Sequence, residues 1–209
     1  DGRLAFVHAV GSYGLTRSHF DAQDFMETGT PGDKSTADGW LERSVAAIPG
    51  SDVTQAVAFS AQLPRSFLGW EPVLVTQNLA SFDLRARNWR AEAEALLRAM
   101  YDGGQTDIAK TGQETFAAIE FLKKADPSRY QPANGAQYRG RYGDALKQVA
   151  QLVKADVGVE LAFTEIGGWD HHAAEGGVQG QLATRLRELG GALAAFHRDL
   201  GDRMQDVVL

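Results

Sequence analysis

Val157-Gly158-Val159-Glu160-Leu161-Ala162-Phe163-Thr164-Glu165-Ile166 runs directly into Gly167-Gly168-Trp169-Asp170-His171-His172. The first ten residues alternate and then thicken with apolar side chains, the pattern of a strand entering a buried sheet. The paired glycines allow a tight turn off that strand. Beyond a short polar loop, Val178, Leu182, Leu186, Leu189, Leu193, Phe196, Leu200 and Met204 recur at steps of three or four. That is the period of an amphipathic helix. Strand, loop and long helix in this order form the building unit of an α/β protein.

The same grammar extends toward the amino terminus. Val53 to Phe59 and Pro72 to Thr76 read as strands, with Leu63-Pro64-Arg65 between them. Arg3 to Val10 reads as a further buried strand, ended by Gly11-Ser12-Tyr13-Gly14. Phe20 to Met26 reads as a helix with Ser18 or Thr16 available as its N-cap. Trp40 to Ile48 reads as another, stopped by Pro49-Gly50. The middle, about 85–155, is largely helical. Trp89, Ala93, Leu96, Leu97 and Met100 form one apolar stripe, and Ile108, Phe116, Ile119 and Leu122 form the next. Asp126 to Arg141 carries two prolines and two glycines and reads as a loop, and Ala145 to Val153 is helical again. The expectation is a single α/β domain over 1–209, with a mainly parallel sheet flanked by helices.

With 209 residues, 44% apolar and 23% charged, the composition suits a globular chain with a substantial core. A net charge of −6 disfavours a nucleic-acid partner, because phosphate binding concentrates Lys and Arg. Arg85, Arg87 and Arg90 form no basic stripe, since Glu92 and Glu94 follow at once. The absence of cysteine excludes disulfides, thiolate ligands and a cysteine nucleophile, and leaves the compartment open. No membrane span is legible. Residue 1 is Asp, and Asp206-Val207-Val208-Leu209 reads as the opening of a buried strand. The sequence is therefore expected to be an internal segment, trimmed on both sides.

Ligands of open α/β sheets bind at the carboxyl ends of the strands. Two loops that leave such ends carry titratable groups. Thr16-Arg17-Ser18-His19-Phe20-Asp21 brings a guanidinium, a hydroxyl and an imidazole to the start of a helix, whose N–H groups favour an anion. Ser18 could equally serve there as a cap. In the second loop Asp170 and His172 stand two apart in an extended segment, which projects both to one side. A carboxylate with a neutral imidazole is a suitable ligand pair for a transition metal, but two ligands do not complete a site. Asp170 could also simply cap the following turn. His8 reads as a strand residue and His197 as the border of a helix stripe. Gly176-Gly177-Val178-Gln179-Gly180 lacks phosphate-loop spacing and reads as a helix entry. Gly11-Ser12-Tyr13-Gly14 is no nucleophile elbow.

Several blocks together resemble a bacterial family called domain of unknown function 1501. They are Thr16-Arg17-Ser18-His19-Phe20-Asp21-Ala22-Gln23-Asp24, Met26-Glu27-Thr28-Gly29-Thr30-Pro31-Gly32, Gly39-Trp40-Leu41, Gln62-Leu63-Pro64-Arg65, Ile166-Gly167-Gly168-Trp169-Asp170 and Leu193-Ala194-Ala195-Phe196. The resemblance implies an alkaline-phosphatase/sulfatase-like fold and export through the twin-arginine pathway, hence a periplasmic or secreted protein. It implies a divalent metal, Zn, Mn, Ca or Mg, with Asp170 and His172 among its ligands. His171 stands where the family usually has Thr and is a second-rank ligand. Further acidic and histidine ligands are implied before residue 1 and after residue 209, so the metal site is incomplete within this sequence. The function so implied is hydrolysis of small anionic phosphate or sulfate esters, with Ser18 as nucleophile or anion anchor and Arg17 or His19 stabilising the transferring group. The alternative is a non-catalytic exported protein that binds a cell-envelope component or takes part in surface assembly.

Overall fold

The computed structural model describes residues 5, 7, 10–49, 54–81, 89–126, 129–173 and 175–209. Most of the expected strand at Arg3 to Val10, His8 included, lies outside the described residues, as do Val53, Arg85 and Arg87. The chain divides into two compact units, Asp1–Ser51 with Leu63–Glu71, and Asp52–Gln62 with Pro72–Leu209.

The smaller unit is built from α1 (His19–Thr28), α2 (Trp40–Ala46) and a 3-10 turn at Arg65–Phe67. Helix α1 starts where Ser18, in extended conformation, accepts a hydrogen bond from the Asp21 amide at 3.3 Å. It stops at Gly29, whose φ of 69° closes the helix in the left-handed region. Phe25, Val45 and Phe67 are buried, one from each element. Arg65 ties the unit together. Its guanidinium bonds Asp24 at 3.0 Å and the backbone carbonyls of Thr36 and Ala37. The Gln62-Leu63-Pro64-Arg65 block is thus a structural clamp on the loop before α2.

The larger unit holds a three-stranded parallel sheet of β1 (Ala56–Phe59), β2 (Leu74–Val75) and β3 (Leu161–Thr164), in the order β2-β1-β3. All four residues of β1 are buried, as befits a central parallel strand covered on both faces. The helices are α3 (Arg90–Tyr101), α4 (Asp107–Ala125), α5 (Gly140–Ala155) and α6 (Gln181–Leu200). Phe121, Leu122, Leu146, Val149, Leu152 and Phe196 join Val57, Phe59 and Leu74 in one core. The molecule is therefore α/β with parallel pairing, as the strand-loop-helix pattern predicts.

Several boundaries differ from the sequence expectation. Helix α5 begins at Gly140, not Ala145, despite two glycines in its first turn. Gly140 has φ 73°, and a Cβ there would lie 2.8 Å from Glu188 Oε1 of α6, so the position needs glycine for both conformation and close approach. Helix α6 is shorter than its apolar stripe. Val178 precedes it and is exposed, and Met204 sits in a 3-10 turn at Gly201–Asp206. The stripe on α3 has helical spacing without burial: Trp89, Leu96 and Met100 are all exposed, as is Ile108 in the first turn of α4. The expected strand at 206–209 does not form. Val207–Leu209 pairs with no strand among the described residues, and Val208 is 98% exposed.

The 129–139 segment leads into α5 and is anchored by Asp199 of α6, which is 1% exposed. Its carboxylate accepts from Tyr130 at 2.6 Å, Tyr138 at 2.8 Å, the Ala133 amide at 2.7 Å and the Lys154 ammonium. Burial, the largest single influence, pushes the Asp199 pKa up. The bonds from Lys154, Tyr130, the Ala133 amide and Tyr138 together outweigh it and hold the carboxyl below its ordinary range. Burial first, and then the neighbouring carboxylate, push both tyrosine hydroxyls well above theirs. Asp199 is thus an ionised buried hub that binds the 129–139 segment and α5 to α6.

Candidate functional site at the carboxyl end of the sheet

Because the three strands of the larger unit are parallel, their carboxyl ends open on one side of the sheet. There they line a cavity of about 860 Å3. The end of β1 and the residues after it supply Phe59, Ser60 and Ala61, the segment after β2 supplies Gln77 and Asn78, and the loop after β3 supplies Glu165, Ile166 and Gly167. The first turns of α5 add Arg141, Tyr142, Asp144, Lys147 and Gln148, and α6 adds Arg185 and Glu188. Gln148 also accepts from the Leu79 amide at 2.7 Å, which fixes the 3-10 turn after β2 to the wall formed by α5.

The register explains the chemistry at the sheet edge. Phe59 is paired with Thr164, so the next residues, Ser60 and Glu165, leave the sheet side by side. The Ser60 hydroxyl donates to Glu165 Oε1 at 3.1 Å. Arg185 bonds Glu188 at 2.9 Å, and its guanidinium crosses the loop after β3 so closely that a Cβ on Gly168 would sit 2.8 Å from Nε. Gly168 has φ 83°, a second reason for glycine there. Formal charges in the lining balance: Arg141, Lys147 and Arg185 against Asp144, Glu165 and Glu188. Pairing does not balance. Arg141 and the half-buried Lys147 form no ion pair within 4 Å among the described residues, and so remain available to an anionic ligand.

The loop that lines the cavity at 165–167 continues to the predicted metal residues. The Trp169 indole folds back to donate to the Ile166 carbonyl at 2.6 Å. Asp170 and His172 do meet, with His172 Nε2 at 2.8 Å from Asp170 Oδ1. Both side chains are open to solvent, at 52% and 78% exposure, and His171 between them is half-buried. As donors they suit a divalent ion. The pair fits as part of a ligand set and supplies two members of it.

In the smaller unit, Arg17 and His19 are exposed and Ser18 is half-buried. The Ser18 hydroxyl caps α1, and the Ser18 amide donates to Thr16 Oγ1 at 3.0 Å. Asp21 bonds Lys34 at 2.7 Å, which holds its carboxyl below the usual range. Within this unit the geometry gives Ser18 a capping task. His197 is exposed on α6.

A family model described as "Protein of unknown function (DUF1501)" matches residues 6–209. The chain belongs to this family. No curated protein matches it, and no solved structure does. The DUF1501 blocks quoted from the sequence lie in both units, and two of them, Gly39-Trp40-Leu41 and Gln62-Leu63-Pro64-Arg65, prove structural. A Cβ on Gly39 would stand 2.0 Å from the Ser66 carbonyl, so α2 begins against the Arg65–Phe67 turn.

Sequence reasoning missed Ser60, Glu165, Arg141, Lys147 and Arg185. For the first two a signal existed. Ser60 is the first residue past the run read as a strand, Val53 to Phe59, and Glu165 lies inside the run read as Val157 to Ile166, which the structure ends earlier, at Thr164. For the three bases none existed, because only helix packing brings α5 and α6 to the sheet edge.

Proposed function

We propose that this chain carries part of the active site of an exported metal-dependent hydrolase of phosphate or sulfate esters, built on an alkaline-phosphatase/sulfatase-like fold. The observation that carries the reading is the continuity of one loop. It contributes Glu165 to Gly167 to a polar cavity at the carboxyl edge of a parallel sheet, and then presents Asp170 and His172 as adjacent oxygen and nitrogen donors. Asp170 and His172 would hold a divalent metal together with further ligands. When bound, such an ion polarises the ester oxygen and lowers the pKa of an attacking oxygen.

The chain's own residues do the rest. Arg141 and Lys147 receive the anionic ester group, and the side-chain amide of Asn78, whose oxygen accepts from the Ala80 amide, offers its NH2 to the remainder of the substrate. Arg185 keeps the loop after β3 in place through its close approach to Gly168. The test is the full-length protein, assayed for metal content and for turnover of aryl phosphates and aryl sulfates beside Asp170→Asn and His172→Ala. The reading expects bound metal and turnover, both reduced at least tenfold in the variants. Turnover indifferent to Asp170→Asn, or a protein that takes up no metal, ends it.

A second reading is a binding or surface-assembly protein without turnover, which suits donors as open to solvent as Asp170 and His172. That reading expects a ligand in the cavity and no ester hydrolysis.

A further inference from the structure

We propose that Ser60 is the nucleophile of the cavity and that Glu165 is its base. This rests on the reading of the cavity as a site of ester hydrolysis, but not on the metal. Among the described residues that line the cavity, Ser60 brings the one aliphatic hydroxyl. It is the first residue beyond the buried central strand, so its backbone is held by the sheet while its side chain stands half-open to the cavity. The Ser60 hydroxyl donates to Glu165 at 3.1 Å, so its proton is aimed at a carboxylate before any substrate arrives. That distance lies within the reach required between a nucleophile and its base. The lone pairs of the same oxygen, which that bond does not use, are left for an electrophile. Arg141 and Lys147 reach the same space from α5, and neither is committed to an ion pair among the described residues. Nucleophile, base and anion-binding cations therefore line one cavity, an arrangement suited to transfer of a phosphoryl or sulfuryl group.

Ser18 differs on each point. Its oxygen accepts the Asp21 amide at the start of α1, and its proton is aimed at no carboxylate among the described residues.

In the transfer step, a bond forms between Ser60 Oγ and the phosphorus or sulfur of the ester, and the bond from that atom to the leaving oxygen breaks. The serine proton passes to Glu165. Glu165 then returns it to the departing alcohol. Water next attacks the esterified serine, giving inorganic phosphate or sulfate and restoring the Ser60 hydroxyl, so that one water is consumed for each ester cleaved.

The experiment uses the full-length protein and diisopropyl fluorophosphate, which forms a stable serine ester with loss of fluoride and needs no metal. Intact mass and peptide mapping are expected to show a single adduct on Ser60, absent from Ser60→Ala and formed at least tenfold more slowly in Glu165→Gln. An adduct on any other hydroxyl, Ser18 included, overturns the proposal, as does a wild-type protein that gains none. Labelling rates equal in wild type and Glu165→Gln overturn the role of Glu165. Aryl ester turnover measured alongside separates the two claims. Turnover that survives Ser60→Ala removes the nucleophile and leaves the hydrolase reading standing. Labelling at Ser60 without metal-dependent turnover removes the metallohydrolase and leaves the nucleophile.

Discussion

Asp199 and Asp170 belong to the same unit and lie at opposite ends of what a protein can do with a carboxylate. Asp199 is closed to solvent and receives four donors, one of them an ammonium. Asp170 is half in water and has His172 at hydrogen-bond distance. A buried charge is tolerated only where its bonds replace hydration, and once they do, its partners are fixed around it. An exposed pair gains little from its own contact, because water competes for both members. The first arrangement organises structure, and the second stays in contact with water. A carboxylate with a shifted pKa therefore does not by itself mark a site: Asp199 holds a loop.

Substitutions can break this contrast or sharpen it. The largest effect is expected at Asp199→Ala. Removing it strands the Lys154 ammonium, two tyrosine hydroxyls and the Ala133 amide, at a cost of about 3–5 kcal/mol. Urea unfolding of the full chain measures it, and a loss under 1 kcal/mol would mean that the hub is not the anchor described. The same residue sets an acid limit. Its folded pKa lies below its unfolded value, so its contribution is complete above the unfolded pKa and is lost as pH falls through the folded one. The unfolding midpoint should fall steeply on acidification below about pH 4, and this part of the fall should be missing from Asp199→Asn.

Ser18→Ala occupies the middle ground, a half-buried cap with a single bond to the helix, and should cost about 1 kcal/mol by thermal unfolding. Asp170→Asn should change stability by no more than about 0.5 kcal/mol. A markedly larger loss there would turn the exposed pair into a structural element and weaken the case for a ligand role.

The sheet was legible because β1 and β3 are written as apolar runs, although only β1 is buried throughout and β3 is partly open. The helix spacing was legible too, but which face would be covered was not. Phe116, Ile119 and Leu122 went inside, whereas Leu96 and Met100, with the same local pattern, did not. Periodicity reports a face, and only tertiary packing reports its neighbour. Asp199 shows the converse. Between Arg198 and Leu200 it reads as a surface residue, and nothing local announces that Tyr130 and Tyr138 will close over it. At the candidate site, the closeness of Asp170 and His172 followed from their spacing. The meeting of Ser60 with Glu165 required the strand register, which a sequence carries only implicitly.

Helices α4 and α5 both end on an aspartate held in the left-handed region, Asp126 at φ 42° and Asp156 at φ 52°. Glycine adopts that conformation more cheaply, and a negative side chain faces the negative end of the helix dipole. Asp156 recovers part of this through Arg203 at 3.0 Å, and Asp126 makes a longer 3.6 Å contact to Arg129. The fold thus carries unused margin at a place remote from its chemistry. Asp126→Gly should raise stability by on the order of 0.5 kcal/mol, a reserve that could absorb a destabilising change at the cavity while new specificity is selected there.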